Sequence, residues 1–115
     1  MRLNHLALTV SDARWSAAFY REHFGFERTL HEDDHFTMLA NDAGDLLALF
    51  GGDPPPEPTA TFHFGFELDS ADEVRAERTR LQQAGVAELQ WEDGWMTRLR
   101  VADPDGHGVE LFASS

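Results

Sequence analysis

The strongest constraint on this chain of 115 residues is that its pattern occurs twice. His5 is matched by His63, Phe24-Gly25-Phe26 by Ala84-Gly85-Val86, and Leu47-Ala48-Leu49-Phe50 by Val109-Glu110-Leu111-Phe112, at offsets of 58, 60 and 62 residues. Each offset is close to half the chain, so the fold must accommodate two copies of one supersecondary unit. Two copies are too few for a solenoid, which needs about three or more stacked repeats to bury a continuous core. Two modules facing each other are the simpler solution, at the length of one ordinary domain.

Residues 2–10 alternate like a strand, with Leu6, Leu8 and Val10 on one face and Leu3, His5, Ala7 and Thr9 on the other. Ser11 or Asp12 then caps a helix running to Phe24, with Trp15, Ala18 and Phe19 as its expected buried stripe and Gly25 as its stop. Strands are expected at 26–31, 36–40 and 46–50, separated by turn residues at Asp33-Asp34 and Asn41-Asp42-Ala43-Gly44. The stretch from Gly51 to Pro58, rich in proline and glycine, can neither continue a strand nor start a helix. The same order follows: a strand over 60–68, a helix over 70–84 opened by the capping box Ser70-Ala71-Asp72-Glu73, then strands over 86–91, 95–102 and 108–113. The expectation is an α+β fold of paired βαβββ modules, 1–50 and 60–115 joined by a linker at 51–59. They form a cupped mixed sheet with the helices on its outer face.

Charge and cysteine content narrow the function. There are 21 acidic residues against 9 basic ones, all of them Arg, for a formal net charge of -12. Such a surface repels phosphate backbones and anionic membranes, so neither nucleic acid nor a membrane is an expected partner. No run of 18 apolar residues occurs, and a cytoplasmic protein is expected. With no Cys, there is no disulfide, no thiolate metal site and no cysteine nucleophile, so any metal must sit on His, Asp or Glu.

His5 on the first strand, His63 at the matching place on the fifth and Glu110 on the last each point away from the apolar, helix-packing side of their strand. Two imidazoles and one carboxylate make a facial triad with open coordination positions, suited to Fe(II), Mn(II) or similar ions. Zn(II) with the same ligands plus water is also sound chemistry. Small Ala7 and Gly65 leave room for a ligand beside the ion. A lone His on a strand is most often an ordinary core or surface residue; the equivalence of His5 and His63 and the carboxylate on an otherwise apolar strand favour ligation. His23, His31, His35 and His107 lack that symmetry. On the seventh strand Thr97, Leu99 and Val101 alternate with Met96, Arg98 and Arg100, which puts Arg98 and Arg100 toward the cup, either to clamp a substrate carboxylate or phosphate or to balance nearby acids. Trp91, Trp95, Phe36 and Met38 are candidates for its walls or for core packing.

The chain resembles the vicinal oxygen chelate superfamily, also called the glyoxalase, bleomycin-resistance and extradiol-dioxygenase superfamily. The resemblance rests on Leu3-Asn4-His5-Leu6-Ala7-Leu8-Thr9-Val10-Ser11-Asp12, on Ala18-Phe19-Tyr20 and Phe24-Gly25-Phe26, and on Asp103-Pro104-Asp105-Gly106-His107-Gly108-Val109-Glu110-Leu111. It implies a cup around a divalent metal ion (Fe, Mn, Zn or Ni) that chelates adjacent oxygens of a small-molecule substrate, with His5, His63 and Glu110 as ligands, and a homodimer. Members resembling glyoxalase I carry a fourth ligand, a Glu on the fourth strand, where this chain has Ala48. Fosfomycin-type transferases carry a Thr two residues after the first His and a set of Lys, Ser and Arg groups for the phosphonate; this chain has Ala7 and no Lys. Two function classes follow: a small metalloenzyme of dioxygenase, isomerase, lyase or transferase type, or a binding protein that sequesters an antibiotic or toxin.

Overall fold

A computed structural model describes residues 1–54 and 62–114. The chain divides into two compact units, Met1–Pro56 and Glu57–Ser115. The first contains β1 (His5–Val10), α1 (Ala13–Phe24), β2 (Arg28–Glu32), β3 (Phe36–Ala40) and β4 (Leu46–Gly51). The second contains β5 (His63–Glu67), α2 (Ala71–Gln83), β6 (Glu88–Asp93), β7 (Met96–Ala102) and β8 (Gly108–Ser114). Each unit is thus βαβββ and builds a mixed four-stranded sheet, in the orders β1-β4-β3-β2 and β5-β8-β7-β6. The fold is α+β, as its repeat implies. Residues 55–59 of the expected linker and the start of the expected strand over 60–68 lie outside the described residues.

The helix ends show why the elements sit where they do. Asp12 is the N-cap of α1, its carboxylate accepting from the backbone N–H groups of Arg14 and Trp15 at 3.0 Å each. Gly25 closes the helix with φ 73, a backbone conformation that only glycine adopts without strain. Ser70 caps α2 by accepting from Glu73 N–H at 3.2 Å, while the Glu73 carboxylate reaches back to the backbone N–H of Asp69 at 3.4 Å. After each helix a backbone N–H folds back onto the last turn: Phe26 onto the Tyr20 carbonyl at 3.3 Å and Val86 onto that of Leu81 at 3.0 Å. Those bonds hold residues 26 and 86 in the helix cap, so β2 and β6 start two residues later than the expected strands, at Arg28 and Glu88.

One face of each sheet packs under its own helix. In the first unit Leu8, Val10, Leu39, Leu47 and Leu49 are buried with Ala13, Ala17 and Tyr20 of α1. In the second, Leu99, Val101, Val109 and Leu111 are buried with Val74 and Leu81 of α2. The expected α1 stripe is corrected here. Trp15 is 58% exposed and Ala18 lies outward; the buried face is Ala13, Ser16, Ala17 and Tyr20, spaced i, i+3, i+4, i+7. Small side chains let the helix lie close on the leucines of β3 and β4, and that close approach outweighs the apolar volume of Trp15.

The outer strands are irregular. Register shifts occur between Thr29 and His31 on β2 and, at the equivalent place, between Glu88 and Gln90 on β6. In the second unit α2 is tied to β6 by paired ions. Arg78 forms a two-pronged bond with Glu88 at 2.8 and 3.0 Å, and Arg75 one with Asp93 at 2.9 and 3.0 Å. These contacts hold the Glu88 and Asp93 carboxyls below their ordinary range. The pairs are exposed, so each contributes modestly.

Two outcomes follow from this packing. Ala17→Leu should destabilise by about 1–3 kcal/mol through overpacking against β3 and β4, whereas Trp15→Ala should stay within about 0.5 kcal/mol; chemical denaturation measures both, and the reverse order would refute the stripe assigned here. At the β2–β3 turn, the Asp33 carboxyl is lowered from 3.8 to about 2, first by His31, whose Nε2 lies 2.8 Å from Oδ2, then by the N–H groups of His35 and Phe36. Because the folded value is the lower one, the turn's contribution is complete above the ordinary carboxylate range and is lost as pH falls through about 2. A carboxyl NMR titration should place Asp33 near 2 and move it upward in His31→Ala.

Candidate functional site

Strand pairing lets the second face of each sheet, opposite its helix, be read row by row. In unit 2 one row runs Gly65, Glu110, Arg100 across β5, β8 and β7, and the adjacent one runs His63, Gly108, Ala102. The equivalent rows of unit 1 are Ala7, Ala48, Met38 and His5, Leu46, Ala40. Ala48 therefore occupies in unit 1 the place Glu110 occupies in unit 2. The charged chemistry of the repeat is concentrated in its second copy.

There the side chains converge. His63 Nε2 lies 3.6 Å from Glu110 Oε2, and Arg100 Nη2 lies 3.6 Å from Glu110 Oε1 and 3.5 Å from His63 Nε2. The Glu110 side chain is only 10% exposed, and among the described residues its Oε1 has no hydrogen-bond partner. A buried carboxylate oxygen without a donor is costly unless a cation satisfies it. Two donors that each sit about 2.1 Å from one divalent ion are separated by roughly 3.0–3.5 Å, close to the observed His63–Glu110 spacing. The donor set, one imidazole and one carboxylate, is of the kind that holds such ions.

Two glycines make the room. A Cβ at Gly65 would lie 2.9 Å from the Glu110 carbonyl oxygen and 3.1 Å from its Cβ. A Cβ at Gly108 would meet His63 Cβ at 3.1 Å and Arg100 Cδ at 3.2 Å. Gly108 is the residue whose role the sequence reading missed. Its place on the row of His63 was visible from strand alternation, but the crowding of two long side chains above it was not.

The remaining predicted residues are distributed as follows. His5 is exposed on β1 in unit 1, on the same sheet face as Ala7 and Ala48; within each unit, among the described residues, no three His, Asp or Glu side chains gather into a ligand set. Arg98 lies on the Glu110 face but bonds Glu92 at 2.5 Å, its partner across the β6–β7 hairpin. Trp91 is corrected: it pairs with buried Leu99 on the helix side of the sheet, where the Arg78 guanidinium of α2 sits 4.3 Å from its ring centroid. Core and helix packing claim it, so it lines no wall on the Glu110 face. Trp95 is 78% exposed beside the β6–β7 turn. Phe36 stacks on Phe50 at 4.6 Å and on His31 at 5.2 Å, on the His5 face of unit 1.

Comparison with known proteins matches this geometry to a family. The family model described as "Glyoxalase/Bleomycin resistance protein/Dioxygenase superfamily" matches residues 2–111. The chain is 33% identical over 118 residues to glutathione transferase FosA of Serratia marcescens, covering 98% of this chain and 81% of that protein. It is 27% identical to catechol-2,3-dioxygenase of Bacillus subtilis, of whose length it spans 41%. Among solved structures, a possible glyoxalase from Bacillus cereus superposes with a TM-score of 0.82 at 27% identity, covering 96% of this chain and 97% of that one. The fosfomycin resistance protein FosX of Listeria monocytogenes shares the fold, with a TM-score of 0.82 at 23% identity over 100% of this chain and 94% of that one.

Because the atom that would meet an added Cβ at Gly65 is backbone, Gly65→Ala should force β5 and β8 apart locally. A loss of about 1–3 kcal/mol is expected. Thermal or chemical unfolding measures it, and a neutral result would mean that the close approach over Glu110 is not a constraint.

Proposed function

The chain belongs to the glyoxalase/bleomycin resistance protein/dioxygenase superfamily, and from that premise we propose that it is a divalent-metal-dependent enzyme acting on a small substrate with two adjacent oxygens. Its ligands in unit 2 are His63 and Glu110; His5 is the further ligand that the family resemblance adds. The observation that carries this reading is the buried Glu110 carboxylate, 3.6 Å from His63 Nε2 and with one oxygen that accepts no hydrogen bond. A bound divalent ion, whether Fe, Mn, Zn or Ni, supplies Lewis acidity toward a substrate oxygen through its open positions.

The chain's own groups do the rest. Glu110 is fixed by its place in the interior of β8, flanked by β5 and β7, so its carboxylate is pre-positioned rather than recruited from a loop. Gly65 and Gly108 keep the face above it clear for a ligand. Arg100 offers a guanidinium toward an anionic part of the substrate, and Trp95 of the same unit offers an exposed ring. Arg98 is engaged with Glu92 and contributes to substrate binding only by leaving that partner.

Identity to a glutathione transferase favours addition of a nucleophile to an activated electrophile among the family's reaction types. Ala7 and the absence of Lys argue that the electrophile is not fosfomycin. A homodimer accords with the family and a cytoplasmic location with the acidic composition; among the described residues no helix is long and apolar enough to cross a membrane.

Elemental analysis of purified protein tests the proposal. About one equivalent of Fe, Mn, Zn or Ni per chain is expected, lost in His63→Ala and Glu110→Gln and reduced in His5→Ala. If no ion is retained, and none binds when each is added back, the metalloenzyme reading fails and a ligand-sequestering protein becomes the better account.

A further inference from the structure

We propose that Arg100 is a counter-cation of Glu110 in the metal-free protein, exchanged for the metal ion on loading, so that metal uptake turns its Nη2 from Glu110 toward an anionic substrate group. The proposal rests on the metal-site reading above and adds a coupling that the ligand set alone does not contain.

Three observations carry it. First, Arg100 is cross-strand partner to Glu110, and its Nη2 is nearly equidistant from the two groups assigned as ligands, 3.5 Å from His63 Nε2 and 3.6 Å from Glu110 Oε1. Second, the pair is buried but loose. Both side chains are about nine-tenths covered, at 11% and 10% exposure, yet their separation exceeds the 2.5–3.0 Å of the exposed Arg98–Glu92, Arg78–Glu88 and Arg75–Asp93 bonds. A desolvated ion pair without short bonds recovers little of its desolvation cost, so the Glu110 carboxylate favours a cation that binds it directly. Third, the repeat isolates the feature. The unit 1 counterparts of Gly65, Glu110, Arg100 and Gly108 are Ala7, Ala48, Met38 and Leu46, so the carboxylate, the guanidinium and the clear face above His63 occur together in unit 2 alone.

Electrostatics sets the direction. A dication held by His63 and Glu110 would stand a few ångströms from the guanidinium, and like charges at that distance in a covered site repel strongly. The guanidinium must swing away while its stem stays over Gly108, where Arg100 Cδ lies 3.2 Å from the position of an added Cβ. Displaced, it no longer faces Glu110 and stands beside a metal ion with open positions. A ligand with two negative charges, such as a phosphate or phosphonate ester or a dicarboxylate, satisfies both cations at once. Linkage then requires metal and anion to tighten each other's binding by the same factor.

Calorimetric titration of Mn(II) into wild type, Arg100→Gln and Arg100→Lys, with and without inorganic phosphate at fixed ionic strength, tests this. Arg100→Gln should bind Mn(II) about tenfold more tightly than wild type, as removal of a neighbouring positive charge requires. Phosphate should tighten Mn(II) binding several-fold in wild type, less in Arg100→Lys and least in Arg100→Gln, where only its direct bond to the ion remains. Equal Mn(II) affinity in wild type and Arg100→Gln, or a phosphate effect as large in Arg100→Gln as in wild type, overturns the exchange. Absence of Mn(II) binding in all three proteins overturns the metal site itself. Binding by Arg100→Gln alone supports the exchange in its strongest form. Should Arg100→Gln fail to fold, wild type and Arg100→Lys decide: no phosphate effect on Mn(II) binding in either refutes the proposal.

Discussion

Parallel pairing of the first and last strands of each βαβββ unit is the constraint from which the rest follows. β1 lies beside β4 and β5 beside β8, in unbroken register over 6 and 5 pairs. A parallel pair cannot be closed by a hairpin, so the chain must cross over, and it does so through a helix that covers one face of its sheet. The helix covers the apolar half of the strands that carry the core, β1, β3, β4, β7 and β8, and leaves their other half available for chemistry. Glu110 and His63 share that second face because alternation along β5 and β8, once the register is set, permits nothing else.

Much of this was legible in the sequence, and the reasons differ by element. Asp12, Ser70, Gly25 and Gly85 act through their own backbone or side chain, so the helix limits could be read within a residue or two. The strand faces followed from alternation: His63, Glu110 and Arg100, each expected on the face away from the helix, lie within 3.6 Å of one another there, whereas Arg98, expected beside them, bonds Glu92. The α1 stripe was not legible. Apolar volume marked Trp15 and Phe19, but how closely a helix lies on its sheet depends on the leucines opposite, on strands 20 or more residues away in the chain. Trp91 misled for a related reason. An aromatic ring on a strand next to charged residues reads as a binding wall, and only tertiary structure reveals that Arg78 of α2 covers it.

Divergence between the two copies is as informative as their likeness. Both units keep the core leucines and valines, the caps and the glycine stops, because each must fold by the same rules. On the second face they part: unit 1 carries Ala7, Ala48, Met38, Phe36 and Phe50, and unit 2 carries Gly65, Glu110, Arg100, Arg98 and Glu92. One sheet offers a largely apolar surface with His5 and His31 toward its margins, the other an ionic one.

The register shifts on β2 and β6 bear on how such a chain keeps to itself. Both fall on the outermost strand of their sheet, at equivalent places, and every residue of β2 is exposed. An exposed, straight outer strand is a template on which another chain can hydrogen-bond and extend the sheet. A bulge breaks the repeat of donors and acceptors that such growth would need, and Arg28 and Glu32 of β2, like Glu88, Glu92 and Asp93 of β6, add charge to it. At a net charge of -12, neighbouring copies also repel. The same irregularity therefore makes the β2 and β6 edges poor templates for a further strand.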